Sequence, residues 1–187
     1  MTILRIITPE NPILRRKAKK VEQFTPAVHR LIDDMIATMR EAPGVGLAAP
    51  QVAHSLRLFV VEYAEEPPEE GSGESGARPD EDAPAPKPKL YVVINPEIVR
   101  ASEEVVEGAE GCLSIPGYAG MVERHESVTV KGLNRRGQPI KLKAKGWLAR
   151  IFQHEIDHLN GVLFIDRASR VWKVEDEPEE PEAGVLA

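Results

Sequence analysis

The stretch from Trp147 to Gly161 constrains the fold of this chain more than any other. Trp147, Leu148, Ile151, Phe152, Ile156 and Leu159 recur at three- and four-residue spacing, the pattern of a helix with one apolar face. Asn160-Gly161 then supplies a left-handed stop. At about 100° per residue, His154 and His158 stand one turn apart on one side, with Glu155 beside them. Two imidazoles so spaced can hold one divalent metal ion, and the adjacent carboxylate can take a proton from water on that ion. The same residues also fit a plain amphipathic helix with two polar-face histidines. A third protein ligand is needed to tell these apart.

One known continuation, H-E-x-x-H-x-x-G-x-x-H, is followed through Gly161 and then fails, because Phe164 stands where the last histidine belongs. A thermolysin-like site would take a downstream glutamate. Glu175 is the nearest, but it opens an acidic, proline-containing run to Glu182 that is poorly suited to a rigid second helix. Upstream, Cys112 is the only cysteine. A lone cysteine is commonly a small buried hydrophobe, so spacing alone leaves Glu175 and Cys112 both open.

That single cysteine excludes an intrachain disulfide and fits a reducing compartment. Arg5, Pro9 and Glu10 break the N-terminus before a signal-peptide core can form, and no stretch approaches a membrane span. A cytoplasmic location is expected. The formal charge of −6 is unevenly spread. Residues 64–88 hold eight acids and six prolines without a large apolar side chain, and residues 175–182 hold six more acids. Both lack the apolar surface that offsets ordering entropy, so both are expected to be disordered. Outside them, 22 basic side chains face 16 acidic ones. The expected organisation is one domain over residues 1–174, interrupted by the 64–88 insertion, with an acidic tail over 175–187.

Taken in order, Pro9 to Val21 reads as an extended, turn-containing basic lead-in. Thr25-Pro26 starts a helix, with threonine as cap; Val28, Leu31, Ile32, Met35, Ile36 and Met39 form its buried face, and it ends near Pro43-Gly44. Gly44 to Gln51 reads as too small and glycine-rich to pack, its glycines permitting a close backbone approach. It lacks the lysine and serine of a phosphate loop. Leu56–Glu62 and Leu90–Ile94 read as hairpin partners across the insertion, and Asn95-Pro96 as a turn. Glu110 to Gly117 is a turn or irregular strand. Val122–Val130 and Pro139–Ala144 read as strands joined through Asn134 to Gly137, the second with one wet face. His29, His54 and His125 show no ligand spacing. Strands and helices do not alternate regularly, so the class is α+β.

Three stretches now stand together: Gly44 to Gln51, Glu110 to Ser114 and His154 to His158. In the same order they resemble the three signature motifs of the peptide deformylases, G-φ-G-φ-A-A-x-Q, E-G-C-φ-S and H-E-φ-D-H. The likeness runs to about Asp166 and leaves out the insertion and the tail. It implies mixed or antiparallel sheets packed around the motif helix. It also implies Cys112, His154 and His158 as metal ligands, and Glu155 as general base and then general acid. Gln51 and the Leu113 N–H would stabilise the oxyanion, and Gly46 would offer backbone hydrogen bonds to the peptide. Glu110 and Arg124 would pair beneath the Cys112 turn.

The implied reaction is metal-dependent removal of the formyl group from the N-terminal formylmethionine of new polypeptides, with release of formate. The implied ion is Fe(II), with Zn, Ni or Co able to take its place; Cys and His ligands by themselves favour Zn. Val45, Trp147, Ile151 and the His154 ring would wall the methionine pocket, though Trp147 also fits a plain core position. Arg150 would reach the pocket rim or face solvent. The expected partners are N-formylmethionyl nascent chains and, transiently, the ribosome, with no DNA, no membrane and a monomeric enzyme. The rival readings are a zincin-type endopeptidase using Glu175 and a metal- or peptide-binding module in which Glu155 does no chemistry.

Overall fold

Thr25 and Pro26 open the first helix as expected: the threonine hydroxyl accepts from the Val28 N–H at 3.4 Å, and α1 spans Pro26–Glu41. The computed structural model describes residues 1–64 and 86–176. The expected disorder of the insertion and tail lies outside those described, except for residues 64, 86–88, 175 and 176. After α1 come β1 (Gly46–Ala48), β2 (Leu58–Tyr63), β3 (Lys89–Ala101), β4 (Val105–Gly111), β5 (Tyr118–His125), β6 (Ser127–Leu133) and β7 (Pro139–Lys145). The second helix, α2 (Gly146–Asn160), and β8 (Arg170–Lys173) complete the order.

Two antiparallel sheets form, one ordered β1-β2-β3-β6-β7 and the other β4-β5-β8. Parallel pairing among the described residues is confined to one isolated bridge, Lys19 to Leu56, so the class is α+β with antiparallel sheets. β2 and β3 pair from Leu58↔Ile94 to Tyr63↔Lys89, the hairpin read across the insertion. The larger sheet carries apolar side chains on both faces. Phe59, Val61, Val93 and Val130 pack with Leu148, Ile151 and Phe152 of α2. Leu58, Val60 and Ile94 pack with Ile32, Met35 and Met39 of α1.

Four readings need correction. Gly44 to Gln51 does pack: β1 is buried throughout, and Leu47 and Ala49 belong to the α1 core. Small side chains let this strand lie deep rather than float. Asn95-Pro96 does not turn the chain. β3 runs through it on a bulge where Asn95 takes φ +51° and its amide bonds both the N–H and C=O of Val21 at 2.9 Å. Val122–Val130 is two strands in different sheets, parted at Glu126, whose N–H goes to the Glu104 carbonyl. β4 was not read as a strand at all.

α2 differs most from a surface helix, because every residue from Leu148 to Leu159 is buried. It contacts β1, β2, β5, β6 and β7. Its last turn is satisfied from outside: the Leu159 carbonyl accepts from the Ala18 N–H at 2.9 Å and from Arg57 at 3.1 Å. Gly161 then ends it at φ +77°. The polar face of α2 is therefore as dry as its apolar face. Buried polar groups need partners, and those partners make the site.

Candidate metal centre

Cys112 follows the end of β4, where the Ile115 N–H closes a turn onto the Cys112 carbonyl at 2.9 Å. That turn sets the thiol against α2, with Sγ 3.3 Å from His158 Nε2. The His154 and His158 rings stand one turn apart, their centroids 5.0 Å from each other. One ligand atom from each of Cys112, His154 and His158 falls within 4.8 Å of the others, and all three residues are buried. Glu175 lies exposed in the middle of a short turn, Val174–Asp176, and takes no part in that cluster.

Glu110 orients the first imidazole. Its carboxylate lies 3.0 Å from His154 Nδ1 and accepts from Arg124 Nε and Nη2 and from Arg150 Nη1, each at 2.9 Å. Burial alone would raise the Glu110 pKa, but the bonds from Arg124 and His154 outweigh it and hold this carboxyl far below the usual range. An ionised Glu110 keeps the proton on Nδ1 and leaves Nε2 as a lone-pair donor. Among the described residues, His154 Nε2 and both Glu155 oxygens have no hydrogen-bond partner.

Burial pushes the Cys112 thiol up to about 12. Burial, then the neighbouring His154 and Arg124, push His158 well below its usual value. Burial, reinforced by the negative Glu110, raises Glu155 well above the carboxylate range. A neutral imidazole, an unpartnered Nε2 and a thiol that needs a positive neighbour to ionise fit a divalent cation bound by one sulfur and two nitrogens.

The close approach anticipated for the glycine-rich stretch is to Glu155. A Cβ on Gly46 would stand 2.6 Å from Glu155 Oε1, so only glycine lets β1 lie against that carboxylate. Gln51 is fully buried. Its Oε1 accepts from the Ala48 N–H at 2.8 Å, which turns Nε2 toward the Cys112 sulfur, 3.6 Å away. Leu113 is half-buried in the Cys112 turn. Ile151 is buried in the α2 core, with Val45 and Trp147 packed partly against it. Trp147 also lines a cleft of about 190 Å³ with Gly108, His125 and Arg150. His54 and His125 are exposed and bond the carbonyls of Val52 and Ser102.

Arg150 does not face solvent: it is 5% exposed, bonds Glu110 and lines the cleft beside Trp147. Asp157 was missed. It receives Arg124 Nη1 and both Nε and Nη2 of Arg167. A signal for both existed, because Arg150, His154 and Asp157 are spaced i, i+4, i+7 and share one helix face.

A family model described as polypeptide deformylase matches residues 3–174. The peptide deformylase of Symbiobacterium thermophilum is 46% identical over 187 residues, all of this chain and 76% of that protein. That of Halothermothrix orenii is 46% identical over 172 residues, 91% of this chain and 97% of its own. A crystal structure of the Acinetobacter baumannii enzyme, a class I type b peptide deformylase with Met-Ala-Ser bound, superposes with a TM-score of 0.74 at 40% identity, covering 89% of this chain and 98% of that one. With its three motifs folded into one buried centre and a family match across nearly all its length, this chain belongs to the polypeptide deformylase family.

Proposed function

We propose that this hydrolase, which removes the formyl group from the N-terminal formylmethionine of new polypeptides, does so with one divalent ion held by Cys112, His154 Nε2 and His158 Nε2. The motif helix α2 is then the axis of the molecule, with the sheets packed around it. The observation that carries the reading is the convergence of three buried ligand atoms within 4.8 Å of one another. When bound, the ion acidifies water and polarises the formyl oxygen.

The chain's own residues supply the rest. Glu155 is held dry between α2 and the bare Gly46 backbone, and its raised proton affinity suits it to accept a proton from the attacking water and return it to the leaving amine. Gln51 is locked by the Ala48 N–H so that its NH₂ group faces the site. That group and the Leu113 N–H donate to the developing oxyanion, where loss of one donor typically costs about 10²–10³ in rate. Gly46 offers backbone bonds to the peptide, and Val45, Trp147, Ile151 and the His154 ring wall the methionine side chain.

Fe(II) is the ion proposed, on family likeness; Zn, Ni and Co suit the same donors. The enzyme is proposed to act as a cytoplasmic monomer. Its basic body would make any contact with the ribosome. The Met-Ala-Ser in the Acinetobacter enzyme suggests the assay: formate release from formyl-Met-Ala-Ser beside casein cleavage, using anaerobically purified protein of known metal content. Formate without casein cleavage is expected. Casein cleavage without formate would overturn the reading.

A further inference from the structure

Arg150 lies on the same helix as the two histidines and touches neither. Its Nη1 donates to Glu110 Oε1 at 2.9 Å and to the Val122 carbonyl at 2.7 Å, while Nη2 donates to the Val106 carbonyl at 2.6 Å. The Gly108 carbonyl is a more distant neighbour at 3.4 Å. Val106 and Gly108 belong to β4, Val122 belongs to β5, and Glu110 is two residues ahead of Cys112. One guanidinium thus grips both strands of the hairpin that presents the thiol, from the helix that presents both imidazoles.

The surroundings are shaped for that grip. β4 is an edge strand, and the carbonyls of alternate residues on such an edge need a partner from outside the ladder. Gly108 leaves room for the side chain to pass, since a Cβ there would stand 2.9 Å from Arg150 Cζ. The Trp147 ring lies 5.9 Å from the guanidinium carbon. Arg124 makes the reverse crossing, from β5 to Asp157 on α2, and meets Arg150 at Glu110.

We infer that Arg150 is a positioning residue of the metal centre: by clamping the β4–β5 hairpin to α2 it fixes the thiol of Cys112 against His154 and His158, and so sets how tightly and in what shape the ion is held. The inference rests on the ligand set proposed above. It differs from an ordinary buried strut, whose loss would lower the melting temperature and leave the ligand geometry unchanged.

The test uses cobalt(II)-substituted protein, comparing wild type with Arg150→Met, which keeps an unbranched apolar stem and loses every donor, and Arg150→Lys, which keeps the charge and loses the fork. Three quantities are read: cobalt loss to a chelator, the visible absorption of the cobalt–thiolate centre, and thermal unfolding. Arg150→Met should weaken cobalt retention by about 10–100-fold, as loss of a group supporting a ligand does, and shift the cobalt spectrum. Its kcat should fall while KM holds. Arg150→Lys should recover part of each. Wild-type retention and spectrum in Arg150→Met would overturn the inference, whatever the melting temperature. If that variant does not fold, a wild-type spectrum and retention in Arg150→Lys overturn it, and a shift in either supports it. Failure of the underlying ligand set has its own mark, cobalt bound by Cys112→Ala as by wild type.

Discussion

At Gly46 the smallest side chain decides where a carboxylate can stand. A methyl group there would meet Glu155 Oε1 at 2.6 Å, so Gly46→Ala must push aside the carboxylate proposed as general base. Metal content should stay at the wild-type level while formate release falls by about 10²-fold, the usual cost of a reacting group displaced by an ångström. Full activity in Gly46→Ala would show that the carboxylate works from elsewhere. Cys112 and Glu155 should separate in the same two measurements. Cys112→Ala should lose the metal; Glu155→Gln should keep it and lose turnover by about 10²–10⁴. Equal metal in Cys112→Ala and wild type would remove the thiol from the site. At this scale the sequence told much: Cys112, Glu110, His154 and His158 of two motifs come together, and Arg124, outside the motifs, pairs with Glu110 as the family resemblance implied. It did not show Arg150 and Asp157 as buried, because a helical wheel ranks faces by polarity and cannot say that a hairpin covers the polar one.

Among the elements, α2 depends on how it stops. Gly161 holds φ +77°, and a Cβ there would lie 2.7 Å from the Arg15 carbonyl carbon. Gly161→Ala combines a left-handed backbone with a collision against a chain segment that has nowhere to go. It should destabilise by more than about 1 kcal/mol, lowering the melting temperature by at least about 2–4 °C for a chain of this size. An unchanged melting curve would mean that the lead-in can move away. The two helices and the β2–β3 and β6–β7 hairpins were legible because their periodicity and turns agree. β4 was not, since Glu107, Gly108, Glu110 and Gly111 carry little strand propensity. What makes it a strand is tertiary: pairing with β5 and the Arg150 bonds to its free edge. The break at Glu126 was hidden for a different reason. Val122, Val128 and Val130 fall in one two-residue register, and a period of two does not record which sheet a strand joins.

For the whole molecule, charge is both segregated and coupled to folding. No acid occurs from Ser127 to His154, while the insertion and tail hold the whole of the acidic excess. On the body, Arg40 of α1 makes a two-pronged pair with Glu62 of β2 at 2.7 and 2.6 Å. The bond from Arg40 lowers the Glu62 pKa from its usual 4.5. A depressed carboxylate stabilises the fold fully above its unfolded value and loses that contribution as pH falls through the lower folded value. Wild type should therefore melt slightly above Arg40→Met at pH 7, with the gap closing as the buffer is taken below about 4. A gap that persists at pH 3 would trace the difference to packing. One further property of the whole follows from where the acidic insertion enters. It joins β2 to β3 beyond their last pair, Tyr63↔Lys89, so the polypeptide can be severed there without cutting either strand. Gly46 and Gln51 fall on the first piece; Cys112, His154, Glu155 and His158 fall on the second. On the proposed roles, the enzyme is in effect a two-part device, metal ligands and base on one strip of chain and the oxyanion-facing amide on the other. Residues 1–64 and 86–187, co-expressed as separate polypeptides, should reassemble and release formate, and neither should do so alone. Soluble, associated and inert halves would mean that the covalent link itself sets the alignment of the two parts.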